Sequence, residues 1–367
     1  MLWILLLLSV VSALAAALTI VRAPDTKAAW IVALAVGEFG HWLVQLPLGV
    51  AGLAALTLAG AWRWTILALC AGAVVGAMRP AFSAAKLRGP GFSWKRLYWR
   101  EAVTKVPVTT EIYARPAGQE LPLDVYQPPF IKDSNTPRPC LVVVHGGGWD
   151  SGDNTQLTEW NHLWAGRGWV VAAINYRLAP QHPWPAQRDD VLAAVAWLKA
   201  NALRFNLDAH RIVILGRSAG GQIATATVYG AHDPDIRGVI ALYAPHDMKF
   251  TWGVSREDDA LNSIKLMRQY LGGPPDSPER VALYDSASGQ LLARADSPPA
   301  LLIHGYPDTL VWYRHSRRFA ARLQELGVAH THLELPWATH AFDFNADGPG
   351  GQLADSAIRE FLDKVAR

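Results

Sequence analysis

The sequence predicts an α/β fold, a mostly parallel sheet with helices on both faces, preceded by N-terminal transmembrane helices. Residues 1–82 contain only six charged side chains and form long apolar stretches. From residue 106 onward, short apolar runs alternate with amphipathic segments, the pattern expected of strands buried between helices. The 367-residue chain therefore divides into a transmembrane region (1–82), a basic and aromatic linker (83–105) and an α/β domain (106–367).

Eight strands are predicted from apolar or alternating runs bounded by polar turns: 106–113, 121–126, 141–144, 170–175, 212–215, 239–243, 300–303 and 332–335. Segments with helical periodicity follow several of them: 187–203, 218–229, 312–326 and 352–365. The first two strands alternate like an antiparallel hairpin that turns at residues 115–118. The others predict a parallel sheet, whose functional groups lie beyond the carboxyl ends of the strands.

Ser218 lies in the sequence GRSAGG (216–221), directly after the apolar run 211–215. A strand that ends in Gly-x-Ser-x-Gly and continues as a helix holds the serine in a strained, exposed turn, where small neighbours relieve the crowding. A hydroxyl presented in this way can attack a carbonyl carbon. The residues therefore indicate a nucleophile at Ser218.

Three further motifs follow apolar runs. The sequence HGGGW (145–149) follows the strand at 141–144, and a glycine run lets backbone N–H groups converge on a tetrahedral oxyanion. Asp308 follows the strand at 300–303, and His340 follows the last strand. The chain order serine, aspartate, histidine is that of α/β-hydrolases.

With the motifs YRLAP (176–180) and HPWPA (182–186), these residues carry a resemblance that covers the chain from about residue 103 to the C-terminus. The chain resembles the esterase/lipase group of the α/β-hydrolase superfamily, which includes hormone-sensitive lipase-like carboxylesterases and feruloyl-esterase-like hydrolases. The resemblance implies an α/β-hydrolase fold and cleavage of carboxylic esters by Ser218, Asp308 and His340. The residue after the nucleophile, Ala219, is expected to donate its N–H to the oxyanion.

The resemblance favours Gly147 and Gly148 as the other oxyanion donors, with Gly146 as an alternative. The chain departs from the hormone-sensitive lipase-like pattern twice. Asp308 lies in the sequence HGYPDTLV, which favours the feruloyl-esterase-like branch, and Arg217 stands where that group usually has an acidic residue. The second departure leaves the charge preference for substrate open.

Several neighbouring residues are expected to be structural. His145 is predicted to tie down the glycine run, and Tyr176 and Arg177 to brace it. Asp189 and Asp190 open a helix, where carboxylates interact favourably with the helix dipole.

The interval 245–298 separates two core strands by about fifty residues, and connections of this length are usually functional or disordered. We interpret it as a lid over the serine; the alternative is a surface excursion that does not contact substrate. Trp149, Arg217 and Trp252 are the predicted substrate-binding residues, and Tyr270 is a further aromatic residue of the lid.

The N-terminal region predicts three membrane spans. Residues 1–21 are uncharged and long enough to cross a hydrocarbon core of ~30 Å, and they lack the basic start of a signal peptide. Further spans are predicted at 41–60 and 64–78, with 28–40 at the interface. Three spans place the basic residues near 22–27 and 79–105 on the same side of the membrane. Because basic residues are enriched on the cytoplasmic side, this arrangement predicts a cytoplasmic catalytic domain.

The basic and aromatic residues that follow the last span are typical of an anchor on anionic lipid. Glu38 and His41 are ionisable groups near membrane depth, where such groups are often functional; we favour the alternative that they are hydrated at the headgroup boundary. Cys70 and Cys140 are not expected to form a disulfide. The expected partners are a small-molecule or lipid ester and the bilayer, with no nucleic acid, metal or cofactor.

Other activities stay open on the same residues. A serine, aspartate and histidine triad also supports an amidase, a peptidase or an acyltransferase. A third hypothesis is a membrane scaffold with an inactive hydrolase domain, but the intact nucleophile, acid, base and glycine run argue against it.

Overall fold

The computed structural model describes residues 1–88, 91–129 and 136–366, and residues 89–90 of the predicted linker lie outside them. The described residues form eight strands: β1 (Val108–Ala114), β2 (Leu121–Tyr126), β3 (Arg138–Val144), β4 (Val170–Ile174), β5 (Leu207–Arg217), β6 (Ile236–Leu242), β7 (Ala300–Gly305) and β8 (His330–Leu335).

The same residues form fifteen α-helices: α1 (Leu2–Ala17), α2 (Lys27–Leu43), α3 (Gln45–Thr57), α4 (Gly60–Arg88), α5 (Trp94–Tyr98), α6 (Thr158–Gly166), α7 (Ala186–Ala200), α8 (Ala202–Phe205), α9 (Ala219–Ala231), α10 (Met248–Val254), α11 (Ser263–Leu271), α12 (Pro278–Ser286), α13 (Gly289–Leu292), α14 (Arg314–Glu325) and α15 (Pro349–Val365).

The chain groups into two compact units. The first contains Met1–Glu101, His304–Tyr313 and Glu334–Ala357, and the second contains Ala102–Ile303, Arg314–Leu333 and Ile358–Arg367. This grouping cuts across the predicted linear division, because the segments that carry Asp308 and His340 pack with the N-terminal helices. The sequence division at residues 82 and 105 did not anticipate it.

All eight predicted strands are present in one sheet of order β1-β2-β4-β3-β5-β6-β7-β8. The pairs β1–β2 and β2–β4 are antiparallel, and the pairs from β4 through β3, β5 and β6 to β7 are parallel. The strand that leads into the predicted nucleophile turn, β5, spans Leu207–Arg217 and is longer than the predicted strand at 212–215. This pairing confirms the predicted hairpin and the predicted mostly parallel sheet. The parallel strands have continuous apolar runs because both of their faces are buried.

The interval 245–298 is ordered and carries four of the helices, α10 to α13. Met267, Tyr270 and Tyr284 are fully buried in it, and the Tyr270 hydroxyl donates to Gln222 Oε1 at 2.9 Å. Gln222 belongs to α9, the helix that follows Ser218. The interval is therefore an insertion packed on the core of the second unit, not a disordered connection.

In the first unit, α1, α3 and α4 pack together around a small apolar cluster of Leu5, Val50, Ala54, Ile66 and Cys70. The opposite sides of these helices leave large apolar side chains exposed, among them Leu7, Leu14, Leu56 and Val75. Helices that expose many large apolar side chains are typical of contact with a membrane or a partner. Both cysteines are free and buried, which confirms the prediction of no disulfide between them.

The prediction of three spans is wrong. Within the part of the chain that the structure describes, only Gly60–Leu87 is by itself long and apolar enough to cross a membrane. The pair α2 and α3 counts as one broken span at most, with a bend of 57°. The 16 residues of α1 reach about 24 Å, which is short of the hydrocarbon core. Pro47 prevents α2 from continuing, because its ring clashes with the carbonyl four residues before it.

The first unit also changes the interpretation of the polar residues near the predicted spans. Glu38 and His41 are 1% and 3% exposed, so the expectation that they are hydrated is wrong. In the linker, Arg96 pairs with Asp347 at 2.9 Å and with Asp355 at 3.3 Å. Part of the basic cluster is therefore neutralised inside the protein instead of facing lipid.

The turn between β5 and α9 leaves no room for side chains at its glycines. A Cβ atom at Gly220 would overlap the carbonyl oxygens of Val144 and His145, and one at Gly221 would lie 2.6 Å from Ala244 Cβ. The start of α9 can approach the end of β3 only because residue 220 has no side chain.

We expect Gly220→Ala to lower the free energy of unfolding by about 2 kcal/mol or more, because backbone must move to admit the methyl group. Gly230→Ala, in the same helix, is the control. Its Cβ meets only Leu292 Cδ1 at 3.5 Å, and alanine is favoured over glycine in a helix by ~0.5–1 kcal/mol. The measurement is the denaturant concentration at the unfolding midpoint of each variant. Equal midpoints for the two variants would contradict the close approach of α9 to the end of β3.

Candidate active site

Ser218 is the single residue between the end of β5 and the start of α9. Its backbone angles are φ 52° and ψ −121°, in the left-handed region that is unfavourable for a residue with a side chain. Its N–H donates to the Leu242 carbonyl at 2.9 Å, and its carbonyl accepts from Gly221 N–H at 2.9 Å. The predicted strand, sharp turn and helix around Ser218 are confirmed.

The glycine run lies beside this turn. A Cβ atom at Gly146 would be 3.4 Å from Ser218 Cβ. The Gly146 N–H donates to Gln156 Oε1 at 2.8 Å, so this amide is already bound within the protein. Gly147 and Gly148 have φ of 128° and 59°, which only glycine adopts readily. The alternative of Gly146 as an oxyanion donor is therefore disfavoured relative to Gly147 and Gly148.

His145 is a structural residue, as expected. Its ring stacks on Tyr176 with centroids 4.2 Å apart, and its Nδ1 lies 2.8 Å from the Gly146 carbonyl oxygen. The Tyr176 hydroxyl donates to the His145 carbonyl at 3.0 Å. Burial lowers the pKa of His145 to about 4, so the ring is neutral at physiological pH. Together these contacts hold the start of the glycine run.

Arg177 and Asp190 form a second support. The Asp190 carboxylate accepts from the Arg177 N–H and guanidinium at 2.8 Å each, and Asp190 is buried. Gln187 donates to the Arg177 carbonyl at 2.7 Å. Asp190 therefore fixes the chain after β4, while Asp189 is an exposed partner of Arg188 at 2.8 Å.

Asp308 and His340 are brought together in the first unit, where the loops after β7 and β8 meet. His340 Nδ1 lies 2.8 Å from Asp308 Oδ2, and His304 Nε2 lies 3.4 Å from the same oxygen. The other oxygen, Oδ1, accepts from the N–H groups of Leu310 and Val311 at 2.9 and 3.0 Å. A proton on His340 Nδ1 leaves Nε2 as the acceptor that a general base needs.

The Asp308 carboxyl is fully buried, and burial by itself would raise its pKa. The charge of His340 and the hydrogen bonds from His304 and His340 outweigh burial and hold the pKa of Asp308 well below its usual range. Asp308 therefore stays ionised at neutral pH, where its carboxylate can accept a hydrogen bond from His340 Nδ1.

The three predicted substrate-binding residues lie in different environments. Trp149 is buried; its Nε1–H donates to Gln222 Oε1 at 2.8 Å and its ring stacks on Tyr270 at 4.6 Å. Arg217 is 2% exposed, with its guanidinium 5.8 Å from the Trp164 ring centroid. These placements disfavour a substrate-binding role for either side chain. Trp252 in α10 is half-buried.

Sequence reasoning missed four residues around these groups. The contact of His304 with Asp308 could have been suspected from the sequence, because His304 is the first residue of the HGYPD motif that contains Asp308. No sequence motif indicates the hydrogen bond of Gln156 with Gly146, or the position of Gln222 between Trp149 and Tyr270. Leu266 of α11 is the side chain nearest to Gly148, where a Cβ atom would lie 3.0 Å from Leu266 Cδ1. Its position beside the glycine run follows from the packing of the insertion.

The chain is similar in sequence to several known proteins. Residues 123–323, more than half of the chain, match the family model described as BD-FAE. Esterase LipQ of Mycobacterium tuberculosis is 30% identical over 69% of this chain and 62% of its own length. Esterase LipC of the same organism is 32% identical over 67% of this chain and 62% of its own length. The chain thus spans less than two thirds of these relatives.

Solved structures show the same fold. An esterase from Thermogutta terrifontis superposes with a TM-score of 0.59 at 24% identity, covering 70% of this chain and 92% of that chain. A bacterial heroin esterase gives a TM-score of 0.62 at 22% identity, covering 79% and 90%. The α/β-hydrolase fold is therefore confirmed, and the chain belongs to the BD-FAE family, in the esterase/lipase group of α/β-hydrolases.

Proposed function

We propose that this protein is a membrane-anchored serine hydrolase that cleaves carboxylic esters through an acyl-enzyme on Ser218. The observation that carries the proposal is the left-handed backbone of Ser218 at the β5–α9 turn. A residue with a side chain is held in such a conformation at a cost, and strain of this kind clusters at functional sites. Membership in an esterase group supports the same activity.

His340 acts as the general base. It takes the proton from Ser218 Oγ as this oxygen bonds to the ester carbonyl carbon, while Asp308 holds the ring in the required tautomer. His340 then gives that proton to the departing alcohol as the carbon–oxygen bond of the ester breaks. Water repeats the two steps on the acyl-enzyme and releases the acid. His145 is unsuited to this role because burial lowers its pKa to about 4.

The oxyanion of each tetrahedral intermediate is stabilised by the N–H groups of Ala219, Gly147 and Gly148. Ala219 is the first residue of α9, so its N–H has no acceptor within the helix. The binding of Gln156 to the Gly146 N–H supports the choice of the other two glycines. Preorganised donors of this kind are worth about 3 kcal/mol each in the barrier.

The insertion 245–298 shapes the site for the acyl group. Leu266 lies next to Gly148, and Trp252 is half-buried near Tyr284, at 6.4 Å between ring centroids. An apolar side chain beside the oxyanion donors limits the acyl chains that fit. This argument supports the interpretation of the interval as a specificity element and favours ester substrates with apolar acyl groups.

The N-terminal helices anchor the protein. Two crossings, Gly60–Leu87 and the broken span of α2 and α3, leave Arg22 and Trp30 on the same side of the bilayer as the residues after Gly60–Leu87. The helices α1, α3 and α4 expose large apolar side chains. Several basic residues follow Gly60–Leu87, whereas Arg63 is the only one near its other end. By the positive-inside rule the residues after this helix face the cytoplasm.

We expect Ser218→Ala and His340→Ala each to lower kcat/KM for a short p-nitrophenyl ester by at least about 10³-fold, because the triad acts as one unit. Asp308→Asn is expected to be nearly as severe. His210→Ala is the matched control, since the His210 side chain is exposed and pairs with Asp235, which the proposal does not use. Full activity of Asp308→Asn would mean that another carboxylate is the acid.

The same preparations are labelled with a fluorophosphonate and assayed on a p-nitroanilide of the same acyl group. Labelling that disappears in Ser218→Ala supports the acyl-enzyme. Faster turnover of the anilide than of the ester would favour the amidase alternative. Wild-type protein that neither labels nor turns over would support the inactive scaffold.

We expect Leu266→Ala and Trp252→Ala to change the ratio of kcat/KM for octanoyl and acetyl esters by about tenfold, the usual worth of a few methylenes of apolar contact. Leu291→Ala, an exposed leucine of the same insertion, is the control. If both variants fold and their octanoyl-to-acetyl ratios are unchanged, the interval 245–298 is a surface excursion that does not contact substrate.

We expect a protease added to intact spheroplasts to leave residues 102–367 undigested, because the basic residues after Gly60–Leu87 keep that side in the cytoplasm. Lysis should expose the same residues to digestion. Cleavage without lysis, in spheroplasts that retain a cytoplasmic marker, would show that the orientation is the reverse.

A further inference from the structure

The loop that carries His340 obtains part of its structure from the N-terminal helices. Between the end of β8 and the start of α15 it contains only a short 3₁₀ turn, Phe342–Phe344, so its backbone groups need partners from elsewhere. The His340 carbonyl accepts a hydrogen bond from Trp30 Nε1 at 3.0 Å. Trp30 lies in the first turn of α2, and its contact is with the proposed general base itself.

The loop that carries Asp308 is held by the same stretch of chain. Arg22 Nη2 donates to the carbonyl of Thr309, the residue directly after Asp308, at 3.2 Å. Asp25 lies 3.2 Å from the same nitrogen and orients the guanidinium. Two side chains eight residues apart therefore reach the backbone of the two loops whose side chains form the Asp308–His340 hydrogen bond.

Further along α2, Glu38 ties down the far side of the histidine loop. Its backbone carbonyl accepts from Asn345 Nδ2 at 3.1 Å, and its carboxyl accepts from the Gly350 N–H at 2.9 Å. Gly350 lies in the first turn of α15, where N–H groups have no acceptor within the helix. A Cβ atom at Gly350 would lie 2.6 Å from Glu38 Oε1, so glycine there makes room for the carboxyl.

We propose that residues 22–38 position the Asp308–His340 pair for catalysis, with Trp30 as the positioning residue for His340 and Arg22 for the Asp308 loop. The inference rests on the proposed function. Neither residue touches substrate; each acts through the backbone of a catalytic loop. Because proton transfer depends steeply on distance and angle, the N-terminal helices contribute to turnover as well as to anchoring.

The test is Trp30→Phe in the full-length protein, which keeps an aromatic ring and removes the N–H donor. We expect kcat per active serine, counted by complete fluorophosphonate titration, to fall about tenfold or more, because a small displacement of a catalytic group is costly. KM should stay within about twofold, since binding contacts are kept. Trp64→Phe, the same change at an exposed tryptophan of α4, should leave kcat unchanged.

A merely structural role for Trp30 gives a different result: fewer titratable serines, with wild-type kcat per serine. That outcome overturns the proposal, as does a rise in KM alone. If Trp30→Phe does not fold, Arg22→Met decides, because Arg22 is half-exposed and its removal leaves the packing intact. A fall in kcat per serine for Arg22→Met supports the proposal, and wild-type kcat overturns it.

The wild type and His340→Ala separate this inference from the proposed function. If the wild type is inactive, or if His340→Ala retains activity, the proposed function fails and the inference fails with it. If the wild type is active and depends on His340 while Trp30→Phe matches Trp64→Phe in kcat per serine, only the positioning role is wrong.

Discussion

The close approach of the first turn of α9 to the end of β3 is the contact on which the candidate nucleophile depends. Residues without side chains permit it, since any Cβ at Gly220 would overlap the Val144 and His145 carbonyls. The approach forces Ser218 into a left-handed conformation and brings Gly146 next to its Cβ. The nucleophile turn and the glycine run are therefore two parts of one packing arrangement, supported by the His145–Tyr176 stack.

Asp308 is a fully buried carboxylate of the first unit, and its charge is stabilised by several polar contacts. Asp308 receives two backbone N–H groups on one oxygen and lies beside two histidines at the other. These contacts offset the cost of burying the charge. The charge of His340 and the hydrogen bonds from His304 and His340 lower the pKa of Asp308 although burial opposes it. Because the pKa of Asp308 is lower in the folded than in the unfolded protein, its ionised form stabilises the fold at pH values above the pKa of the unfolded state. This stabilisation is lost as the pH falls towards the pKa of the folded state.

The N-terminal helices combine two kinds of surface. The exposed sides of α1, α3 and α4 are apolar, as expected for helices in lipid, whereas α2 presents Trp30 and Glu38 to the loop between β8 and α15. Arg96 in α5 adds ion pairs to Asp347 and Asp355 in the same region. A segment that composition describes as an anchor is thus also part of the structure around the proposed acid and base.

The sequence by itself determined the sheet, the order of its strands along the chain, the nucleophile turn and the pairing of Asp308 with His340, because apolar runs and glycine motifs report local backbone needs. It could not determine the other partners of those groups. The burial of Glu38 and Arg217 and the hydrogen bonds of Trp30 and Gln222 depend on residues far apart in sequence. Such contacts leave no periodic or motif signal, so only the tertiary structure decided them.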